Sequence, residues 1–196
     1  MDFYKSHIYG IVTETLTSKT GNPLETELVE TLFADLEGIR FDRHYGLTRP
    51  SGGREKNQFK RGTHIHNHRQ WSAVSKEEMD AVAKSMSIKN LEATSIGANL
   101  LIEGIPDFSM LPSFTRLVIG KNDPVVLVVY EINKPCDLPM PYINAHEEAQ
   151  NKFSVAAKNK RGLVGWVERA GEIQSGQQVE VWLPKTYPGI EKSQWM

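Results

Sequence analysis

The longest wholly apolar run of the chain is VVLVVY, residues 125–130. Its valines and lack of polar residues predict a buried strand. Pro135 and Asp137 follow closely and would end the hydrogen-bonded ladder of such a strand. Between them lies Cys136, the only cysteine in the sequence. We therefore expect a thiol presented at a strand end, beside the cation of Lys134.

A lone thiol cannot form an internal disulfide, so Cys136 serves either packing or chemistry. The neighbouring Lys134 would favour the thiolate, which is the nucleophilic and metal-binding form. The alternative is a small buried hydrophobic residue, which is the role of most free cysteines. The local sequence leaves both readings open.

The composition is that of an ordinary globular protein. The 196 residues suit a single domain, residues 1–196, with 39% hydrophobic and 24% charged residues. A formal net charge of -1 gives no field that would attract nucleic acid or an anionic membrane. The apolar run 125–130 is too short to cross a membrane, and the N-terminus shows no secretory signal. With a single cysteine there is no disulfide framework, which suggests a cytoplasmic protein.

Short strand-like segments dominate the chain. Besides 125–132, they lie at 8–15, 28–36, 91–105, 117–120, 163–168 and 178–183, with turn residues between the last two. Strands outnumber helices and do not alternate regularly with them, which disfavours a doubly wound parallel sheet. We expect a mainly β protein, a closed or partly open β-barrel with a few peripheral helices.

Two helices are predicted from capping patterns. The first begins at Ser75, with Glu78 three residues later, and has apolar residues at helical spacing up to Met86. The second begins at Asn144, with Glu147 in the same relation, and would end at Arg161-Gly162.

The segment from Phe41 to Arg69 differs from the rest. It is rich in glycine and locally basic, and an irregular stretch of this length inside a compact domain is usually functional or disordered. Arg43 can bind an oxyanion through two hydrogen bonds, and the imidazole of His44 can take up or release a proton. The alternative is a loop held by an ion pair between Asp42 and Arg43.

Three histidines at positions 64, 66 and 68 share one face if this stretch is a strand. Three imidazoles could bind zinc, but same-face Cβ atoms on a strand lie roughly 6.6–7 Å apart. No cysteine and no acidic residue between 56 and 76 is available to complete the site. We expect a polar strand face in which one or two histidines line a pocket.

Two further polar residues have structural as well as functional readings. A buried carboxamide at Asn99 must be hydrogen-bonded, either to the backbone or to a ligand. Arg161 at the end of the second predicted helix is favoured by the helix dipole whatever else it does.

Several motifs occur in a set order along the chain: Asp42-Arg43-His44-Tyr45-Gly46, Asn67-His68-Arg69-Gln70-Trp71-Ser72 before a helix, Gly97-Ala98-Asn99-Leu100, Pro135-Cys136, and Arg161-Gly162 with Gly171 and Gly176. Over about residues 8–184 the chain resembles the MOSC domain, the module named after the C-terminal domain of molybdenum-cofactor sulfurases. It is most similar to the small stand-alone bacterial members. Arg43 and the long insert 48–63 depart from the commonest pattern.

The resemblance implies a β-barrel that binds the molybdenum cofactor (molybdopterin). It implies that Cys136 is the signature cysteine, which ligates the metal or transfers sulfur. Some relatives reduce N-hydroxylated bases and amidoximes, and in such a reaction His44 would supply protons. The expected cofactor-binding residues are Arg43, Arg49, Asn99, Asn133, Lys134 and Arg161.

Three functions are consistent with the resemblance. The first is a molybdenum-dependent reductase of N-hydroxylated compounds, which needs a small-molecule substrate and an external electron-transfer protein. The second is a sulfur carrier that accepts sulfur from a donor as a Cys136 persulfide. The third is a binding or delivery module without turnover. A metal-ligating thiolate and a persulfide-forming thiolate need the same low pKa, so the sequence does not separate them.

Overall fold

The computed structural model describes residues 3–185. The strands of this part of the chain are β1 (Phe3–Ser18), β2 (Thr26–Leu28), β3 (Thr31–Asp35), β4 (Gly38–Ile39), β5 (Thr48–Pro50), β6 (His64–His66), β7 (Trp71–Ser75), β8 (Leu100–Glu103), β9 (Arg116–Ile119), β10 (Val125–Ile132), β11 (Leu163–Arg169), β12 (Gly171–Gln174) and β13 (Gln178–Pro184). The helices are α1 (Lys76–Met86), α2 (Met140–Asn144) and α3 (Phe153–Ala156), with short 3-10 turns at Gly53–Glu55, Thr94–Ile96 and Phe108–Met110.

Seven strands form a closed barrel. Their order is β13-β9-β10-β11-β7-β8-β1, and pairing of β1 with β13 closes the ring. All of these pairings are antiparallel except that of β7 with β8, which are joined through α1. Closure leaves no free edge among the seven strands. The predicted mainly β barrel with a few peripheral helices is confirmed, and it is the closed form.

Strand β10 matches the predicted segment 125–132 residue for residue. Its first five residues are buried, because one face lines the barrel interior and the other is covered by neighbouring elements. Val125, Leu127 and Val129 belong to the interior cluster. A second apolar cluster lies outside the barrel, where Met79 and Met86 of α1 pack with Phe153 of α3.

Four parts of the predicted strand pattern need correction. The predicted strand 28–36 is two strands, β2 and β3, separated by a turn, and the turn region 170–177 contains β12, which pairs with β3. The predicted extended stretch 91–105 is mostly turns, with a strand only at Leu100–Glu103. The long basic segment contains a hairpin, β5 paired with β6.

Helix α1 begins where it was predicted, with the Ser75 side chain accepting a hydrogen bond from the Glu78 amide at 3.3 Å. The second predicted helix, 144–161, is wrong: only α2 and α3 are helical, and the residues between them form turns and bends. The Glu147 carboxylate accepts from the Lys89 amide at 2.7 Å, and the Asn144 side chain from the Ala149 amide at 3.2 Å. These contacts replace the predicted capping box. None of the helices between residues 3 and 185 has the length and apolarity needed to cross a membrane.

Candidate functional site

A pocket of about 180 Å³ lies beside the barrel, where the loop after β10 meets the start of β11 and the basic segment. The Asn133 amide donates to the Gly162 carbonyl at 2.8 Å, which brings the loop 133–139 against Arg161. Cationic side chains and the single thiol of the chain are gathered here. The polar and charged lining consists of Arg43, His44, Arg54, Arg69, Ser72, Asn133, Lys134, Cys136 and Arg161.

Cys136 lies four residues beyond the end of β10 and is exposed at the pocket. The reading of this residue as a buried hydrophobic side chain is therefore wrong. The next residue is fixed, because the Asp137 carboxylate accepts a hydrogen bond from the Ser154 amide at 2.9 Å. Lys134 lines the same pocket, as the sequence predicts. A reagent or a metal ion in the pocket can reach the thiol without any rearrangement of the core.

Arg161 is a buried cation with spare hydrogen-bonding capacity. It is 8% exposed, and its Nη2 donates to the Ile96 carbonyl at 2.6 Å. Its buried Nη1 has no hydrogen-bond partner among the described residues. Burial lowers the pKa of Arg161 to about 10, while the thiol of Cys136 acts in the opposite direction. The guanidinium and the thiol are thus close enough to interact electrostatically, and the negative charge of a Cys136 thiolate would stabilise the guanidinium cation.

Two more guanidinium groups have the same property. The Nη1 atoms of Arg43 and Arg69 are also buried without a hydrogen-bond partner in this part of the chain. Burial lowers the pKa of Arg69 to about 10, and the charge of Arg54 adds to this effect, against the opposing charge of Glu131. Burial likewise lowers the pKa of Arg43, opposed by Asp42. A buried donor without a partner is costly, so each of these Nη1 groups is available to an acceptor from water or from a ligand.

Gly97 makes room for one of these groups. It has φ +69°, and a Cβ atom at this position would lie 2.8 Å from Nη2 of Arg43. The left-handed conformation and the close approach both favour glycine. The Gly97 of the sequence motif thus lets the Arg43 guanidinium pack against the turn that precedes β8.

Asp42 holds the loop that carries Arg43 and His44. It is 6% exposed and accepts four hydrogen bonds: from Ser18 Oγ at 2.8 Å, Asn99 Nδ2 at 2.9 Å, and the amide and Nδ1 of His44 at 2.9 and 3.0 Å. Burial alone would raise the pKa of Asp42, but the hydrogen bonds and charge of His44 hold it well below its usual range. The alternative of an Asp42–Arg43 ion pair does not describe this loop, because no such pair is formed within residues 3–185.

His44 is half-exposed on the pocket wall, with Nδ1 directed at Asp42. In the neutral ring, Asp42 favours the tautomer with the proton on Nδ1, which leaves Nε2 free to accept a proton. Asn67 fixes the backbone behind this ring, donating to the carbonyls of His44 and Gly46 at 2.6 and 2.9 Å. His44 is therefore an oriented group that can take up and release a proton at Nε2.

Two of the predicted cofactor-binding residues do not line the pocket. Asn99 is 2% exposed, and its side-chain amide already has hydrogen-bond partners within the protein. It donates to Asp42 and accepts from the Ser72 amide, both at 2.9 Å. Arg49 forms an ion pair with Glu55 at 2.5 Å within the hairpin insert. Asn99 supports the site from behind, and Arg49 stabilises the insert.

Arg69 and Arg54 line the pocket and are absent from the predicted site. Arg69 Nη2 donates to Asn133 Oδ1 at 2.9 Å, and its Nη1 lies 3.6 Å from Glu131. Arg69 belongs to the motif at 67–72 that carried the family resemblance, so the signal for it was present. Nothing local distinguishes Arg54 from the other cations of the basic segment.

The histidine triplet lies beside the site rather than in it. His64 and His66 are in β6, and the His68 ring stacks on Tyr130 at a centroid distance of 4.4 Å. Within residues 3–185 there is no group of three His, Cys, Asp or Glu side chains placed to hold a metal ion. That His64, His66 and His68 bind no zinc stays a prediction.

The described residues thus combine a closed β-barrel with a pocket in which an exposed thiol lies beside several guanidinium groups. A sequence model of the MOSC domain matches residues 60–180. The chain belongs to the MOSC-domain family, which confirms the resemblance seen in the sequence.

The chain is 35% identical over 160 residues to YuaD of Bacillus subtilis, with 80% of this chain and 82% of that protein covered. That protein is named as a candidate metal-sulfur cluster biosynthesis protein. The crystal structure of YuaD covers 91% of this chain and 98% of its own, with 31% identity and a TM-score of 0.84. YiiM of Escherichia coli has the same fold, with a TM-score of 0.56 at 14% identity over 89% of this chain and 69% of YiiM.

Proposed function

We propose that this protein binds the molybdenum cofactor, with the Cys136 thiolate as the protein ligand to the metal, and reduces N-hydroxylated compounds. One observation carries the proposal. The guanidinium groups of Arg43, Arg69 and Arg161 line a pocket that also exposes the only thiol of the chain, and the buried Nη1 of each has no hydrogen-bond partner among the described residues. An organic cofactor with a phosphate at one end and a sulfur-rich metal at the other matches this donor set.

Arg43 and Arg161 would hold the phosphate, since both lie at the Ile96–Gly97 turn and each has a buried Nη1 without a hydrogen-bond partner in the described residues. Cys136 would bind the metal, because a thiolate is a soft ligand and this one is exposed. When bound, the cofactor supplies the two-electron chemistry that cleaves an N–O bond. The residues of the chain supply orientation, charge and protons.

The overall reaction converts an N–OH group to N–H and water, and it consumes two electrons and two protons. His44 delivers a proton from Nε2 while Asp42 holds the ring at Nδ1. The electrons come from an external electron-transfer protein, since residues 3–185 are accounted for by the barrel and its peripheral elements.

The experiment uses protein purified from a host that makes the cofactor. Molybdenum content and reduction of an N-hydroxylated base by a chemical electron donor are measured for the wild type, Cys136→Ser and Leu138→Ala. Leu138 also lines the pocket and is exposed, so its variant controls for a general disturbance of the wall. We expect stoichiometric molybdenum and activity in the wild type and the control. Cys136→Ser should lose both with an unchanged melting temperature, and a variant that keeps most of its activity would refute the role of Cys136.

A sulfur carrier is the second candidate, and the exposure of Cys136 favours it. The thiolate would attack the outer sulfur of a donor persulfide, form a Cys136 persulfide and release the donor thiolate. The name of YuaD, which refers to metal-sulfur cluster biosynthesis, is in line with this role. Absence of molybdenum together with a cyanide-labile sulfur that disappears in Cys136→Ser would favour the carrier. Molybdenum without reduction of any N-hydroxylated substrate would favour a delivery module.

A further inference from the structure

Gly162 joins the two sides of the pocket through its backbone. It follows Arg161 directly, and its carbonyl accepts from the amide of Asn133, which begins the loop that carries Cys136. Its own amide donates to Ser109 Oγ at 2.7 Å. The position of this backbone therefore affects how the Arg161 guanidinium lies relative to the thiol.

The backbone at Gly162 is closely confined. It has φ +84°, and a Cβ atom there would lie 2.0 Å from the Ala73 carbonyl oxygen of β7. The left-handed conformation and this close approach both favour glycine. The residue is buried, so its amide needs a hydrogen-bond partner within the protein, and Ser109 supplies one.

Ser109 lies in the 3-10 turn Phe108–Met110, and Glu78 of α1 directs its hydroxyl. In a capping box the Glu78 side chain would return to the Ser75 amide. Its carboxylate accepts instead from the amide and the hydroxyl of Ser109, at 2.9 and 2.5 Å and 31 residues further along the chain. Because the hydroxyl proton is used there, Oγ presents a lone pair to the Gly162 amide. Ser109 is 1% exposed, so bulk water does not compete for these contacts.

This network begins outside the pocket and ends in its lining. Asn133 Oδ1 accepts from Arg69 Nη2 at 2.9 Å, so the hydrogen bonds continue from Gly162 to a second guanidinium group. Asn133 and Arg69 line the pocket, whereas Glu78 and Ser109 do not. A residue in such a place acts on a ligand only through the groups that it holds.

We propose that Ser109 is a positioning residue of the pocket: its hydroxyl fixes the Gly162 amide and so holds the Arg161 guanidinium beside the Cys136 thiol. The inference rests on the proposed function in so far as that function places a thiolate and an anionic ligand beside this cation. Without the hydroxyl, the Gly162 amide loses its partner, and the peptide group between Arg161 and Gly162 is free to turn.

The test measures the electric field at the thiol rather than stability alone. Protein made in a host without the cofactor is alkylated with anionic iodoacetate and with neutral iodoacetamide. Cys136 is the only cysteine of the chain, so both rates report this thiol. The same thiolate reacts with both reagents, so the ratio of the iodoacetate rate to the iodoacetamide rate reports the nearby charge and not the ionised fraction. We expect this ratio to be at least about threefold higher in the wild type than in N-acetylcysteine.

Ser109→Ala is compared with Ser6→Ala. Ser6 is also 1% exposed, and its Oγ donates to the Val181 carbonyl at 2.6 Å, away from the pocket lining. Both variants should lower the melting temperature, since each removes a buried hydroxyl. At a temperature where both are folded, only Ser109→Ala should lower the alkylation ratio, by about twofold or more. An unchanged ratio in Ser109→Ala, equal losses in the two variants, or a wild-type ratio no higher than that of N-acetylcysteine would overturn the positioning role.

Glu78→Gln serves as a second variant, which keeps the test decisive if Ser109→Ala does not fold. A carboxamide has one oxygen where the carboxylate has two, so one of the two contacts with Ser109 is lost at nearly constant volume. We expect the ratio to fall by about 1.5-fold or more, whereas loss of the negative charge alone would raise it. A ratio that rises or stays the same would count against the role of the Ser109 hydroxyl.

Molybdenum content, measured on protein from a host that makes the cofactor, separates this inference from the proposed function. If Ser109→Ala lowers the ratio but the wild type retains no molybdenum, the proposed function fails and the positioning role stands. If the wild type retains molybdenum but the ratio does not depend on Ser109, the positioning role fails and the proposed function stands.

Discussion

Asp42 and Arg161 are both buried charges, Asp42 behind the pocket wall and Arg161 in the pocket lining, and their surroundings differ. Asp42 accepts four hydrogen bonds, whereas Nη1 of Arg161 has no partner within the described residues. A charge whose hydrogen bonds are all made inside the protein stabilises a loop conformation. A charge with spare donors is available to a ligand and stabilises the fold little until the ligand binds. At this site, Asp42 thus supports a loop, whereas Arg161 keeps a donor that is available to a ligand.

The largest effect is expected from removing the carboxylate. Asp42→Ala leaves the buried Asn99 amide and the partly buried Ser18 hydroxyl without an acceptor and removes the partner of His44 Nδ1, so we expect the free energy of unfolding to fall by about 3–5 kcal/mol. Urea denaturation measures this. Asp80 is the control, because it forms an exposed ion pair with Lys76, and Asp80→Ala should cost less than about 1 kcal/mol. A loss at Asp42 no larger than that of the control would mean that the network is not structural.

The same carboxylate predicts a pH dependence. The pKa of Asp42 is lowered in the folded protein, so the stabilisation is present above the unfolded value of about 3.9 and is lost as the pH falls towards the folded value. Wild-type unfolding should therefore become easier below about pH 4. The decrease in the free energy of unfolding with falling pH should be smaller in Asp42→Asn. An identical decrease in both proteins would contradict the lowered pKa of Asp42.

Removing a binding cation should have a smaller effect, and on a different quantity. Arg43→Ala should weaken retention of the anionic ligand by about 1.5–3 kcal/mol, the contribution of a charged hydrogen bond, and more at low than at high salt. Its unfolding free energy should change little, because Nη1 of Arg43 has no partner to lose. Arg40 is the matched control, an exposed cation paired with Asp35. If Arg43→Ala retains the anionic ligand as well as the wild type at every salt concentration, Arg43 is a solvated side chain that does not bind the ligand.

The smallest effect on folding stability is expected from Glu78, a second carboxylate that can be compared with Asp42. Its carboxylate accepts from the amide and hydroxyl of Ser109, whose Oγ accepts from the Gly162 amide next to Arg161. Burial nevertheless raises the pKa of Glu78, so its charged form is disfavoured. Folding stability should fall as the pH rises from the unfolded value of about 4.3 through the folded value. Glu78→Gln should not show this decrease. In the wild type the decrease should be less than about 1 kcal/mol, because solvent screens a partly exposed group. Parallel pH profiles would show that the hydrogen bonds of Ser109 outweigh the burial.

The parts of the fold that the sequence predicted are those with a local cause. The apolar run starting at Val125 is buried on both faces, so its strand could be located to the residue. The start of α1 was clear because Ser75 caps the helix from within the segment. The helix predicted from Asn144 and Glu147 failed because the Glu147 carboxylate binds the Lys89 amide, 58 residues away, which no local pattern shows.

The site follows the same rule. Lys134 and Cys136 are near each other in the sequence, so their shared location was predictable. Arg69 and Arg54 reach the pocket only because β7 pairs with β11 and the hairpin insert lies against it. Asn99 was predicted to bind the cofactor, whereas in the structure its side chain is hydrogen-bonded to Asp42. The sequence did not show this contact, because Asp42 lies 57 positions earlier in the chain.

The closing pair of the barrel has a consequence for biosynthesis. Strand β1 pairs with β13, and Phe3 lies opposite Pro184, so the ring joins the two ends of the described chain. Contacts of such long sequence separation slow folding, because chain entropy is lost before they form. Translation proceeds from the N-terminus, so β1 has to wait unpaired on one side until β13 leaves the ribosome. We therefore expect ligand loading to be a post-translational event, with the residues of the pocket synthesised before the barrel that positions them is complete.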